Sequence, residues 1–255
     1  MRIRIVLYNG VANASIPINY NHLLAATIYA ILREYSHDCS PLQTDKTRQE
    51  AIKRFKMFTF SHLRFDAYRI DQERVCFDKG YVQWYVSLPV KDFLFQFVER
   101  IAERQTLVLD GVSLEIDRVE ALKEVCFSDE MSFTVISPIT VTSNNARKNT
   151  LPRYLRYTDS GFAEAVRGNL IKKYIMIHKA IPKDNSLSFV FDKEYVDKRA
   201  GKIQKKISFL SMEVIGFVAP FKVKGSPELI RIGYDAGFGE KGNMGFGMVK
   251  EITKT

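Results

Sequence analysis

Residues 2 to 8 alternate apolar and polar positions, the period of a short half-buried strand. The segment NYNHLLAATIYAILREYSH then changes to a spacing near 3.6, with Leu24, Ile28, Ile31, Leu32 and Tyr35 forming one apolar stripe. That spacing predicts a helix that Asn19 or Asn21 can cap and that the Ser40-Pro41 pair ends. Residues 44 to 54 can form a short, very polar second helix. FKMFTFSHLRFDAYRI, rich in aromatics, reads as a bent strand, and DKGYVQWYVSLP as a turn followed by a strand with Val82, Trp84, Val86 and Leu88 on one face. VKDFLFQFVERIAER returns to the helical period with Val90, Leu94, Phe97, Val98 and Ile101 inward, and TLVLDGVSLEIDRVEAL closes this half in strands.

The order repeats. SFTVISPITV predicts a strand, and Phe162, Val166, Leu170 and Tyr174 mark a helix from about residue 160 to 178. SLSFVFD and KKISFLSMEVIGFVAPFKVKG supply further strands, SPELIRIGYDA a short helix, and MGFGMVKEI a closing strand. Strand, helix, two strands, helix, strand is the split plan of a ferredoxin-like fold. The expectation is therefore an α+β protein of tandem ferredoxin-like (RRM-like) domains, residues 1–127 and 128–255, with the division near 125 to 132.

Charge narrows the partners. Lysine plus arginine number 38 against 29 acids, a formal net charge of +9, which favours a polyanionic partner. No window resembles a twenty-residue apolar span, and MRIRIVLYNG reads as a strand instead of an export signal, so a cytoplasmic location without membrane contact is expected. Cys39, Cys76 and Cys126 are widely separated and histidines number only 4; no pair has metal-ligand spacing, so neither a structural metal nor a cofactor is expected.

The densest local signal is GFGEKGNMGFG, Gly237 to Gly247. Glycine serves where the backbone takes positive φ or must touch a ligand. A loop of Gly237, Gly239, Gly245 and Gly247 around Lys241 and Asn243 can turn its amides on an anion; a tightly packed hairpin is the other reading. The longer stretch GYDAGFGEKGNMGFGMVK resembles the C-terminal glycine-rich signature of the CRISPR-associated repeat-RNA processing endoribonucleases, members of the repeat-associated mysterious protein superfamily. PINYNH with IY, KRFKMFTFS and SPITV match that family in order. The resemblance implies recognition of a CRISPR repeat in precursor RNA and one metal-free cut per repeat.

Metal-free cleavage uses the 2′-hydroxyl of the substrate against the adjacent phosphorus, so groups are needed to move two protons and steady the phosphorane. By resemblance, Tyr29 in IYAIL corresponds to the family tyrosine and Lys56 in FKMFTFS to the family lysine. His37 is the histidine between them, and a helix reaching residue 38 puts Tyr29, Arg33 and His37 four apart on one face. The family places its histidine nearer the aromatic strand, which here falls at TRQE, Thr47 to Glu50. Two alternatives stay open: His37 is the counterpart, or the chain lacks one and binds RNA with little or no cutting. His62, on the alternation of Lys56, Phe58 and Phe60, is the reserve, and His22 and His178 rank below it.

Two basic runs are candidate RNA faces: ARKNTLPRYLRY, with Arg153 among four basic residues, and KEYVDKRAGKIQKK, with Lys202 and Lys205. Either run could equally be a solvated surface. A generic tandem-domain RNA-binding protein is the reading from another class. A guide-RNA interference complex receiving the product and a homodimer are partners that the pattern leaves open.

Overall fold

The computed structural model describes residues 2–38, 56–143 and 153–252, and for residues 33–38 the backbone alone. The polar helix expected over 44 to 54 and the whole of ARKNTLP lie outside the described residues.

The first half opens with β1 (Arg2–Asn9), β2 (Ala14–Pro17) and α1 (Asn21–Asp38). β3 (Thr59–Phe60) and β4 (Arg64–Phe65) follow, then β5 (Arg69–Asp71), β6 (Arg74–Phe77) and β7 (Gly80–Ser87). α2 (Lys91–Glu103), β8 (Thr106–Leu109) and β9 (Val112–Ala121) complete it. The main sheet runs β3-β7-β1-β9-β8, with β4 also on β7, and β1 pairs antiparallel to both neighbours. The bent aromatic strand is thus two short pieces on β7, its end running into β5 on β6. β2, β5 and β6 make a separate three-stranded sheet that the hydrophobic pattern did not announce.

Inward alternation on β1 and β7 puts Ile5, Leu7, Val82, Trp84 and Val86 in one core with Leu24, Ile28 and Ile31 of α1 and Leu94, Phe97 and Ile101 of α2. Trp84 is fully buried there.

The second half holds β10 (Glu130–Val135), α3 (Phe162–His178), β11 (Leu187–Phe191) and α4 (Lys193–Lys198). β12 (Gln204–Phe209), β13 (Met212–Phe217), β14 (Phe221–Gly225), α5 (Pro227–Ala236), a 3₁₀ turn at Gly242–Met244 and β15 (Val249–Glu251) follow. Its sheet runs β11-β14-β10-β15 and packs Phe133, Phe189, Phe221 and Val223 against Phe162, Val166 and Leu170 of α3 and Leu229 and Ile230 of α5. Pro227 at the first helical position and Ser226, whose Oγ accepts from the Leu229 amide, start α5. In each half the two central strands stand between the same partners in chain order, so both sheets resemble the ferredoxin-like arrangement.

Two local expectations change. The first part of KEYVDKRAGKIQKK is α4, started by Asp192, whose carboxylate accepts from the Tyr195 amide 2.9 Å away; only Gln204 onward is strand. On α3 the buried stripe continues through Lys173, while Tyr174 is only half-buried.

The halves are tied by polar groups. Arg2 is buried beneath the second half, its guanidinium donating to the Val249 and Tyr234 carbonyls and lying 3.8 Å from the Tyr234 ring centre. Burial holds the Arg2 pKa below its ordinary value. Ser87 Oγ donates to the Asp235 carbonyl at 2.8 Å and Thr59 Oγ1 to that of Phe246 at 2.9 Å. Val125 and Phe127 already pack on the second core.

Candidate nucleic-acid interface

Tyr29 lies on the half-buried side of α1, edge-on to Phe58 with ring centres 5.2 Å apart. Its hydroxyl accepts a hydrogen bond of 2.6 Å from the Asn243 side-chain amide, 214 residues later in the chain. The glycine-rich segment and the candidate tyrosine therefore share one site, across the junction of the two halves. Lys56 sits exposed in the turn before β3, two residues from Phe58. His37 falls in the last described turn of α1, and its side chain lies outside the described residues.

The loop's main chain is turned inward. Gly237, Gly239, Gly245 and Gly247 are buried, whereas Glu240, Lys241 and Asn243 are partly exposed. Gly239 has φ +84°, and a Cβ there would stand 2.4 Å from the Thr140 carbonyl oxygen; at Gly247, φ +77°, it would stand 2.2 Å from that of Phe238. Only glycine permits these approaches. Several loop amides are engaged within the protein: Phe238 to the Gly247 carbonyl at 2.8 Å, Glu240 to Thr140 at 2.7 Å, and Gly247 to Pro138 at 2.8 Å. The Glu240 carboxylate accepts from the Thr142 amide and hydroxyl at 3.2 and 3.0 Å. The Lys241 ammonium lies 5.9 Å from the Tyr154 ring centre. Side chains, and not glycine amides, form the loop's open surface.

Asn19 and Asn21, expected as helix caps, instead bind across the junction. Asn19 Oδ1 accepts from the Ser208 amide at 3.2 Å, and Asn21 Nδ2 donates to the Met244 carbonyl at 3.1 Å. Ser208 belongs to β12, whose hairpin with β13 leans on the first half: Phe209 packs on the first core and meets His22 edge-on at 6.4 Å. His22 Nδ1 is 2.8 Å from the Asn19 carbonyl.

His62 is half-buried with Nε2 enclosed and unpartnered among the described residues. Burial, and secondarily the charge of Lys205, push its pKa down to about 4. It is a neutral ring near pH 7, and the burial that disfavours its charged form makes it a weak base as well as a poor acid. His178 is exposed, against Tyr174 with centres 4.4 Å apart.

Lys202 and Lys205 are exposed and carry no ion pair among the described residues, whereas Lys206 pairs with Glu213 at 2.6 Å. Alternation along β12 puts Lys205 on the side of buried Ile207 and of Phe209, toward His62. Arg153 is exposed and reaches Asp159 at 3.1 Å. Among the described residues no group of three or more His, Cys, Asp or Glu side chains could hold a metal ion, and no helix is long and apolar enough to cross a membrane.

Sequence reasoning missed Lys173. It is buried, and its Nζ donates to the carbonyls of Ala236, Gly237 and Gly239 at 2.9, 2.6 and 2.7 Å. The signal was present as a lysine in the apolar phase of α3, three residues after Leu170.

Comparison with known proteins covers nearly the whole chain. Residues 15–120 match the family model described as CRISPR-associated protein Cas6, N-terminal, and residues 120–251 the model described as CRISPR associated protein Cas6, C-terminal. A Methanocaldococcus jannaschii protein called CRISPR-associated endoribonuclease Cas6 1 is 29% identical over 241 residues, 93% of this chain and 87% of its own. A Pyrococcus horikoshii protein, Cas6nc, whose name reads "endoribonuclease-like", is 25% identical over 99% of this chain and 100% of its own. A solved structure described as CRISPR associated protein Cas6 superposes with TM-score 0.76 at 27% identity, covering 99% of each chain. The structure of a Cas6-related gene product from Pyrococcus furiosus, 24% identical, shares the fold with TM-score 0.82 over 100% of this chain and 99% of that one.

Proposed function

Since the chain belongs to the Cas6 family of CRISPR-associated proteins, we propose that it is a metal-independent endoribonuclease that cuts precursor RNA within CRISPR repeats to give guide RNAs. The observation that carries this reading is the 2.6 Å hydrogen bond joining Asn243 of the glycine-rich loop to Tyr29 of α1. It puts the most family-like segment of the second half on the candidate reacting group of the first.

In the proposed reaction the 2′-hydroxyl loses its proton to a base as its oxygen attacks the adjacent phosphorus. The bond from phosphorus to the 5′-oxygen breaks, and that oxygen takes a proton, leaving a 2′,3′-cyclic phosphate and a 5′-hydroxyl. Tyr29 and His37 are assigned to proton transfer, and Lys56 to the charge on the phosphorane. Lys241 and Asn243 hold the strand beside the cut, the buried glycines giving their loop its shape, and Arg153, Lys202 and Lys205 extend the phosphate-binding face. We read the halves as two ferredoxin-like domains, residues 1–127 and 128–255, dividing near 125 to 132, and the product as passing to an interference complex.

Purified protein incubated with repeat RNA in excess chelator should give one cut per repeat and a cyclic or 3′-phosphate end. Replacing the 2′-hydroxyl at the cut by hydrogen should abolish it. His37→Ala at unchanged rate would remove His37 from the assignment.

A second reading, repeat-RNA binding with little or no cutting, is favoured by the absence of a histidine at TRQE, Thr47 to Glu50, together with the enclosure of the reserve His62, whose Nε2 is unpartnered among the described residues. Tight binding without product in the same assay selects it.

A further inference from the structure

Lys173 occupies the position on α3 where the buried stripe of Phe162, Val166 and Leu170 continues, and only 7% of it is exposed. An ammonium has three N–H donors and no acceptor, so burial demands three acceptors. It finds them in the Ala236, Gly237 and Gly239 carbonyls at 2.9, 2.6 and 2.7 Å. The first belongs to the last residue of α5, where the helix dipole favours a cation; the other two are in the loop itself.

Three carbonyls so close in sequence converge on one nitrogen only if the chain reverses sharply. Gly237 and Gly239, with φ +86° and +84°, supply that reversal. Three residues after Gly239 begins the turn that carries Asn243. From there Asn243 reaches Tyr29, while Asn21 takes the Met244 carbonyl.

We propose that Lys173 is a positioning residue: it templates the exit of the glycine-rich loop from α5 so that the Asn243 amide meets the Tyr29 hydroxyl. No contact with RNA is required of it. The inference rests on the reading of Tyr29 as a reacting group, because only then does placing its partner affect cleavage.

The test compares wild type with Lys173→Met, Asn243→Ala and the double variant, reading single-turnover cleavage of repeat RNA, its Kd, and the hydrogen exchange of both the 237–247 amides and the Asn243 side-chain amide. Lys173→Met should lower the single-turnover rate on the order of 10- to 100-fold through misplacement while Kd stays within about threefold. The double variant should be no slower than the slower single variant, since both act through one contact. Exchange at 237–247 and at the Asn243 amide should accelerate. Rate losses that multiply in the double variant, or exchange unchanged in Lys173→Met, overturn the proposal. If Lys173→Met does not fold, Lys173→Gln, which keeps two donors, is judged by the same criteria. If wild type cuts no RNA, the endoribonuclease reading fails by itself; the exchange measurement then decides whether Lys173 places Asn243, faster exchange supporting it and unchanged exchange overturning it.

Discussion

The His62 ring packs edge-on against Tyr20 at 6.2 Å, and the Tyr20 hydroxyl in turn accepts from the Leu63 amide at 2.9 Å. With a folded pKa near 4 against 6.5 for the free side chain, His62 binds a proton in the unfolded chain before it does in the folded one. Stability owed to this site is therefore whole above about pH 6.5 and is lost as pH falls toward 4, at up to about 1.4 kcal/mol per pH unit. His62→Leu should flatten the dependence of the urea midpoint on pH in that window; a variant as steep as wild type would show that other groups carry the slope. Tyr29→Phe addresses the chemistry. Loss of the hydroxyl should slow cleavage on the order of 10²- to 10⁴-fold with RNA affinity nearly unchanged, measured in single turnovers.

Among the elements, the loop between α5 and β15 separates two costs that glycine avoids. Gly111, in the turn joining β8 to β9, has φ +81° with nothing within 4 Å of a built Cβ, whereas Gly239 has φ +84° and the Thr140 oxygen at 2.4 Å. Gly111→Ala should cost about 1 kcal/mol from backbone strain alone, and Gly239→Ala clearly more, about 2–4 kcal/mol, read as shifts in denaturant midpoint. Equal costs would mean that the loop yields easily. Elements with long periodic patterns were legible in the sequence: α1, α2, α3 and β7 fall where their apolar spacing puts them, because packing and propensity agree there. β2 and α4 were not, being four and six residues long, too short for a period to emerge. The pairing of Tyr29 with Asn243 was legible only as two family-like segments, since no local pattern reports a contact 214 residues apart. Lys173 went unread because a lysine in an apolar stripe looks like its solvated edge until the carbonyls that receive it are known.

For the molecule as a whole, the junction is built from buried polar groups as well as from apolar area. Arg2 holds the Tyr234 carbonyl at 2.7 Å and also that of Val249. Arg2→Met should strand both oxygens and cost about 2–4 kcal/mol. In calorimetry the two halves should then melt less cooperatively; a single sharp transition at the wild-type temperature would show that the remaining contacts suffice. The +9 charge should make RNA affinity fall steeply with salt, and Lys202→Ala or Lys205→Ala should each reduce the magnitude of the log–log slope by about 0.7. The partnership of Tyr29 with Asn243 also bears on synthesis. A ribosome makes the residue in α1 long before its partner, and domains tend to fold in order of emergence. Until the closing segment has left the exit tunnel, a nascent chain holds Tyr29 without Asn243, so prematurely terminated products should fail to process transcripts.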